Sequence, residues 1–384
     1  MVFDVANMVS TGITGGVFVL YKVGELFCGA GGLALGAKNA KLIDTYGNEY
    51  GCRIVWANDM DHWACETYRY NIGAHVIEGR VEDLDFNELE PIDGLLFGFP
   101  CNDFSVVGEH KGLDGRYGPL YKYGVKAIEA HNPIWFLAEN VLGIASANEG
   151  EAFVQILQDL SLAGRHGYRV TAHLYRFEEY GVPQMRHRVI VVGIRKDLGL
   201  TFRVPAPTTP QRFITAAEAL EGVEKVKLNN ERTRHSKRTV EMLKHIPPGG
   251  NAWHPNVPEE LRLNVKNCRL SNIYRRLEPD KPAPTITARG GGGTHGYHWE
   301  EPRALTNRER ARLQTFPDDF LFLGPKEEVR SQIGMAVPPR AAQVIVEAIL
   351  KTLAGIEYEY VEAKWAVDHT NQVSLPLVMD GVVA

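Results

Sequence analysis

The sequence predicts a two-lobed α/β protein, a doubly wound sheet followed by a smaller, irregular lobe. Three observations carry this. From Tyr21 to Arg195 short apolar runs alternate with helix-like stretches, the rhythm of strand and crossover helix. Beyond Phe202 that rhythm stops, and Pro205, Pro207, Pro210, Pro247, Pro248, Pro255 and Pro258 break the chain. Charge divides at the same place: residues 203–276 hold 14 Lys and Arg against 7 Glu and no Asp, a local +7 that leaves −12 on the rest of a chain totalling −5.

The strand-like runs are 23–27, 53–58, 95–97, 134–138 and 189–194. Amphipathic stretches at 305–316 and 339–353 return the chain to the first lobe as helices. The expected division is therefore 21–196 for the first lobe, 197–300 for the second and 301–355 for the return; residues after 355 carry no signal. At 384 residues, 44% hydrophobic and 23% charged, the chain can bury a sizeable core, which excludes disorder, collagen and coiled coil. No run approaches the ~18 apolar residues of a membrane span. The first twenty residues lack a basic segment and carry Asp4, so the reading is a non-secreted protein. Cys28, Cys52, Cys65, Cys101 and Cys268 include no C-x-x-C pair, so neither a disulfide framework nor a metal site is expected.

Chemistry concentrates at the ends of the strand-like runs. Glu25-Leu-Phe-Cys-Gly-Ala-Gly-Gly-Leu-Ala-Leu-Gly36 is a strand that ends in glycines opening a helix, where a ligand can approach the backbone. Gly29, Gly31 and Ala34 fit a dinucleotide fingerprint that is weak by itself. Asp59 closes the next strand and suits ribose hydroxyls, with a helix N-cap as the competing role. An adenosine-containing cofactor accounts for both sites. Cys101 follows Gly98-Phe-Pro100 in a loop, where a nucleophile and an inert thiol fit equally; the other four cysteines read as small buried apolar residues. Glu139 and Asn140 emerge at the same sheet edge, with a solvent-facing helix cap as the competing role for Glu139. A carboxylate among apolar neighbours there has a raised pKa and can give or share a proton. The local positive charge of the insert keeps a polyanion partner open, against the plainer reading of a solvated surface.

Six blocks in order resemble the DNA (cytosine-5)-methyltransferase family: Phe27-Cys-Gly-Ala-Gly-Gly32, Gly98-Phe-Pro-Cys-Asn-Asp-Phe-Ser105, Glu139-Asn-Val141, Gln184-Met-Arg-His-Arg188, Arg276-Leu-Glu-Pro279 with Pro284-Thr-Ile-Thr287, and Ile333-Gly-Met-Ala-Val337. The likeness spans roughly residues 21 to 350. It implies an S-adenosylmethionine-dependent methyltransferase sheet of Rossmann-like form with a target-recognition domain in the insert. By position, S-adenosylmethionine would meet Phe27, Gly29, Gly31, Gly32, Asp59, Met60, Val81, Phe99, Pro100, Leu120, Met335 and Val337. Cys101 would attack C6 of an extruded cytosine, and Glu139 would bond its N3 and amine edge. Arg186 and Arg188 would stand at the pocket, with Arg188 favoured for the cytosine O2 because a fixed cation meets the growing charge. Residues 108–118 resemble the family's closing loop. Ser105, Arg232, Arg234, Lys237 and Arg238 would face DNA, and the run from Arg289 to Gly293 would allow close approach to it or serve as a linker.

The pattern has departures. Asn102 stands where Gln is common, and Asp103 adds an acid beside the thiol. Arg80 replaces an acidic adenine contact, Met335 an asparagine, and Met60 a frequent tryptophan; a thioether donates no hydrogen bond. The implied activity is a sequence-specific DNA cytosine-5 methyltransferase of the restriction-modification type. Its partners would be double-stranded DNA and a cognate restriction endonuclease, and it would act as a cytoplasmic, nucleoid-associated monomer. A DNA-binding relative with impaired chemistry and an RNA cytosine-5 methyltransferase are the alternatives.

Overall fold

The computed structural model describes residues 8–10, 16–100, 120–145, 150–263, 271–288, 293–367 and 373–374. Its strands are β1 (Met8–Ser10), β2 (Val17–Leu26), β3 (Leu42–Ile43), β4 (Glu49–Asp59), β5 (Val76–Glu78), β6 (Gly94–Phe97), β7 (Trp135–Val141), β8 (Tyr168–Arg176), β9 (Gln184–Met185), β10 (His187–Arg195), β11 (Val204–Pro205), β12 (Ala283–Pro284), β13 (Tyr360–Val361), β14 (Trp365–Val367) and β15 (Val373–Ser374). The helices are α1 (Gly32–Asn39), α2 (His62–Asn71), α3 (Tyr121–His131), α4 (Glu151–Leu162), α5 (Ala216–Leu220), α6 (Lys237–Lys244), α7 (Asn307–Leu313), α8 (Lys326–Met335) and α9 (Pro339–Ala354).

The main sheet runs β15-β14-β8-β10-β7-β6-β2-β4-β3, with β1 on β2 and β5 on β4. Its centre is parallel: β2 pairs with β4 and β6, and β6 pairs with β7. Then β10 inserts antiparallel between β7 and β8. The carboxyl ends of β2, β4, β6 and β7 therefore share one edge with the amino end of β10. This places the glycine turn, Asp59, Phe99, Glu139 and Arg188 along that edge.

Alternation within the strands feeds two cores. Leu96, Leu137, Ile190 and Val192 join α1, α2 and the C-terminal helices on one face. Leu95, Phe97, Phe136, Ala138, Val189 and Val191 join α3 and α4 on the other. Full burial on both faces explains why these runs are continuous apolar stretches in sequence. The apolar stretch Lys326–Ala354 is long enough to cross a membrane, but 72% of its apolar window is buried, and α8 and α9 break at Ala336-Val-Pro338.

The stretch expected as the second lobe, 197–300, contributes to two cores. Phe202, Val204, Ala216, Leu220 and Val223 pack into the first core, and β11 pairs with β13. Its own core consists of Met242, Leu243, Ile246, Val257, Tyr297 and Ala304. Proline density marked an irregular connection here, and the apolar residues between the prolines still bury against the first lobe. The region after Gly355 also contributes order, because β14 extends the main sheet beside β8. Part of the insert's positive charge is internal: Arg276 is buried and donates to the carbonyls of Leu243, Ile246 and His298.

A candidate site for a nucleotide cofactor and a target base

The turn after β2 is built from residues with unusual backbone. Phe27 has φ 54°, Gly29 φ 51° and Gly31 φ 92°, the last capping α1. The glycines divide by purpose. A Cβ on Gly32 would lie 2.3 Å from the Val337 carbonyl oxygen, and one on Gly36 would lie 2.4 Å from the Ala342 Cβ, so these positions let α1 press against the C-terminal helices. Among the described residues, a Cβ on Gly29 would meet nothing within 4 Å. The open side of the turn, at the start of a helix, is where a ligand group fits.

Asp59 holds this turn in place. Its Oδ2 accepts from the Gly29 N–H at 2.8 Å and its Oδ1 from the Asp61 N–H at 2.9 Å. The helix N-cap is Asp61, whose side chain accepts from the Ala64 N–H, so the competing role expected for Asp59 belongs to its neighbour. Each carboxylate oxygen of Asp59 thus has a protein partner, which makes it a strut for the loop before any ribose contact. Burial raises its pKa against the pull of those N–H groups. Beneath the turn lies Glu25, which sequence reasoning left without a role. It is buried, accepts from the Tyr68 hydroxyl at 2.9 Å, and is pushed up to about 8 by burial.

Around this turn Val81 and Val337 are buried, while Met60 and Met335 are 69% and 72% exposed. The thioether of Met335 accepts from the Ser331 hydroxyl at 3.6 Å. Arg80 pairs with Glu82 at 2.5 Å, so its charge is taken up locally. Leu120, half-buried, opens α3.

The second cluster sits at the end of β7. Glu139 and Arg188 form an ion pair, Oε1 to Nε 3.0 Å, with side chains 14% and 15% exposed. The register explains it: Glu139 faces Ile190 and Arg188 faces Val141 across the antiparallel pair, so the two are diagonal neighbours. Burial lifts the Glu139 pKa, and the Arg188 and Arg186 charges oppose the lift. A Cβ on Gly98 would lie 3.4 Å from the Glu139 Oε2, so the carboxylate overlies the chain leading to residue 101. Asn140 secures that chain, its Nδ2 donating to the Phe99 carbonyl at 3.1 Å. Phe99 is buried, and Pro100 ends the described stretch. Cys101 and Ser105 lie outside the described residues, as do Asn102, Asp103, residues 108–118 and 289–292, and Cys268. Cys28, Cys52 and Cys65 are buried and free, as expected of small apolar residues.

Arg186 reaches the cluster from below, its charge acting on Glu139 from within the core. Its side chain is buried and donates to the carbonyls of Ile286 at 3.3 Å and Gly334 at 3.0 Å. Two residues further on, in β10, Arg188 pairs with Glu139. His187 between them pairs with the buried Glu178 at 2.8 Å, a contact with no sequence signal beyond the two residue types.

In the insert, Arg232, Arg234, Lys237 and Arg238 are exposed, although two have partners. Arg232 pairs with Glu301 at 2.8 Å, and Arg238 donates to the Arg262 carbonyl at 3.1 Å. An open cavity of about 660 Å³ lies beside Arg232 and, among the described residues, includes none of the other expected site residues.

The chain matches the family model of C-5 cytosine-specific DNA methylases over residues 21–351. It is 60% identical over 354 residues to the type II methyltransferase M.BbvI of Brevibacillus brevis, covering 90% of this chain and 95% of that one. It is 44% identical over 350 residues to M.NgoFVII of Neisseria gonorrhoeae, covering 89% of each. Among solved structures it resembles a DNA modification methyltransferase encoded within an E. coli prophage, with TM-score 0.64, 25% identity, and 87% of this chain and 99% of that one covered. A likeness to S. pombe Dnmt2, TM-score 0.57 at 16% identity over 87% of this chain and 99% of that one, supports the fold. With this sheet and these matches, the chain belongs to the C-5 cytosine-specific DNA methylase family.

Proposed function

We propose that this protein methylates C5 of a cytosine in double-stranded DNA through a transient bond between Cys101 and C6 of an extruded base. The observation that carries the reading is the Glu139–Arg188 pair at the sheet edge that also holds the glycine turn. Glu139 presents a carboxyl to the N3 and amine edge of cytosine, and Arg188 presents a fixed cation to its O2. Together they offset charge that builds on the ring as sulfur adds to C6. A base can reach both only after leaving the stack.

The residues fit S-adenosylmethionine: Gly29 leaves open space at a helix start, Asp59 fixes the turn, and the exposed Met60 and Met335 offer apolar faces. When bound, that cofactor supplies an electrophilic methyl group on a sulfonium. The protein's part is to bond Cys101 sulfur to C6, so that C5 becomes nucleophilic. Once C5 is alkylated, loss of its proton to a base and cleavage of the sulfur–C6 bond restore the aromatic ring and the thiolate. Arg232, Arg234, Lys237 and Arg238 supply positive charge for the DNA backbone. The type II names of the relatives support a place beside a restriction endonuclease.

The test is incubation with labelled S-adenosylmethionine and a mixed-sequence duplex pool, followed by sequencing that reads 5-methylcytosine. Label confined to cytosines in one short sequence context supports the proposal. No incorporation, or incorporation only into RNA, refutes it.

A further inference from the structure

Between the two clusters of the site lies a buried polar junction. Gln314, at the C-cap of α7, is fully buried. Its Nε2 donates to the Ile333 carbonyl at 2.6 Å and to the Ala336 carbonyl at 3.4 Å, and its Oε1 accepts from the Gln184 Nε2 at 3.0 Å. Gln184, also fully buried, accepts at its Oε1 from the Ile286 N–H at 2.9 Å and donates to the Leu313 carbonyl at 3.1 Å. Arg186 bonds the same two segments at other atoms, the carbonyls of Ile286 and Gly334.

These bonds tie two functional edges together. On one side is the end of α8 and the link after it, Ile333 to Val337, which carries the exposed Met335 and whose Val337 carbonyl leaves no room for a side chain on Gly32 of the glycine turn. On the other are β9 and β10, which carry Arg188. Buried amides in apolar surroundings keep their partners because an unmade bond there costs the full desolvation penalty. In this arrangement the amide groups of Gln314 and Gln184 all have partners.

We infer that Gln314 is a positioning residue for methyl transfer, one that sets the cofactor edge at Met335 against the base edge at Arg188 through Gln184 and Arg186. This rests on the function proposed above. Gln314 touches neither ligand. Its effect falls on the alignment of the two reacting groups, where small displacements cost rate more than binding.

The experiment compares wild type with Gln314→Met, which keeps length and removes the amide. The readouts are kcat, KM for S-adenosylmethionine, duplex Kd and Tm. The expected result is a kcat reduced tenfold or more with duplex Kd within threefold of wild type. A lower Tm with kcat and both binding terms within twofold would make the role purely structural and overturn the inference. If Gln314→Met does not fold, hydrogen exchange on wild type decides. S-adenosylhomocysteine should then slow exchange in peptides covering 283–288 as well as 29–33, and protection confined to 29–33 overturns the inference. Failure of the proposed function is separate, because it appears as a wild type without methyl transfer.

Discussion

Glu139 and Arg188 meet at 3.0 Å across adjacent strands that run in opposite directions, one ending and one beginning at the sheet edge where the glycine turn lies. The antiparallel insertion of β10 is what allows this. A parallel strand in its place would carry Arg188, near its start, to the far end of the sheet. The pair also satisfies a fixed cation that would otherwise be buried alone.

Replacing Glu139 by Gln preserves shape and removes the charge. We expect kcat to fall roughly 10²–10³-fold, the scale for losing one group that stabilises developing charge. Duplex affinity should stay within a few-fold, measured by fluorescence anisotropy. A loss of affinity equal to the loss of rate would assign Glu139 to ground-state binding.

The glycines of the turn should separate by substitution. Gly32→Ala drives a Cβ against the Val337 carbonyl and should destabilise at or beyond the upper end of the roughly 1–3 kcal/mol of overpacking. Gly29→Ala meets no atom of the described residues within 4 Å and carries the left-handed backbone cost of about 1–2 kcal/mol. Calorimetry with S-adenosylhomocysteine should show the larger affinity loss, tenfold or more, in Gly29→Ala. Equal affinities in Gly29→Ala and wild type would remove the ligand from the open side of the turn.

Asp59→Ala removes acceptors for the Gly29 and Asp61 N–H groups. Hydrogen bonds to a charged group contribute about 1.5–3 kcal/mol. The KM for S-adenosylmethionine should therefore rise about tenfold or more. An unchanged KM would show that the turn keeps its form without the strut.

Folding raises the Glu25 pKa from its ordinary 4.5 to about 8, so the native state keeps a proton that the unfolded chain releases. The resulting stability is complete below pH 4.5 and is lost as pH rises through about 8. Scanning calorimetry from pH 5 to 9 should show wild type losing more Tm than Glu25→Gln. Parallel curves would mean that Glu25 titrates alike in both states.

Much of this architecture is legible in sequence because its central strands are buried on both faces and read as unbroken apolar runs. β8 escapes notice for the opposite reason: Tyr168–Arg176 interleaves Arg, Thr and His with its apolar residues. β13 and β14 are too short to carry a pattern, and their order comes from register with β11 and β8. The glycine turn and the Glu139 and Arg188 edge are legible as motifs, whereas their supports are not. Arg186 donates to carbonyls 100 and 148 residues away, and no local spacing foretells that. Arg232 illustrates the same limit, since its partner Glu301 lies 69 residues on.

The basic residues of the insert should act through counterion release. Replacing Arg232, Arg234, Lys237 and Arg238 together by Ala should flatten the plot of log affinity against log salt by about 2–4, given a slope near −0.9 per phosphate contact. An unchanged slope would move the DNA-facing surface elsewhere.

The most direct test of the central claim uses a duplex pool containing 5-fluorocytosine, which blocks loss of the C5 substituent after methylation. With S-adenosylmethionine present, the account predicts a stable protein–DNA adduct whose peptide map ends at Cys101, and no adduct from Cys101→Ser. An adduct mapped to another cysteine, or methylation of the unfluorinated pool with no adduct from the fluorinated one, would contradict it.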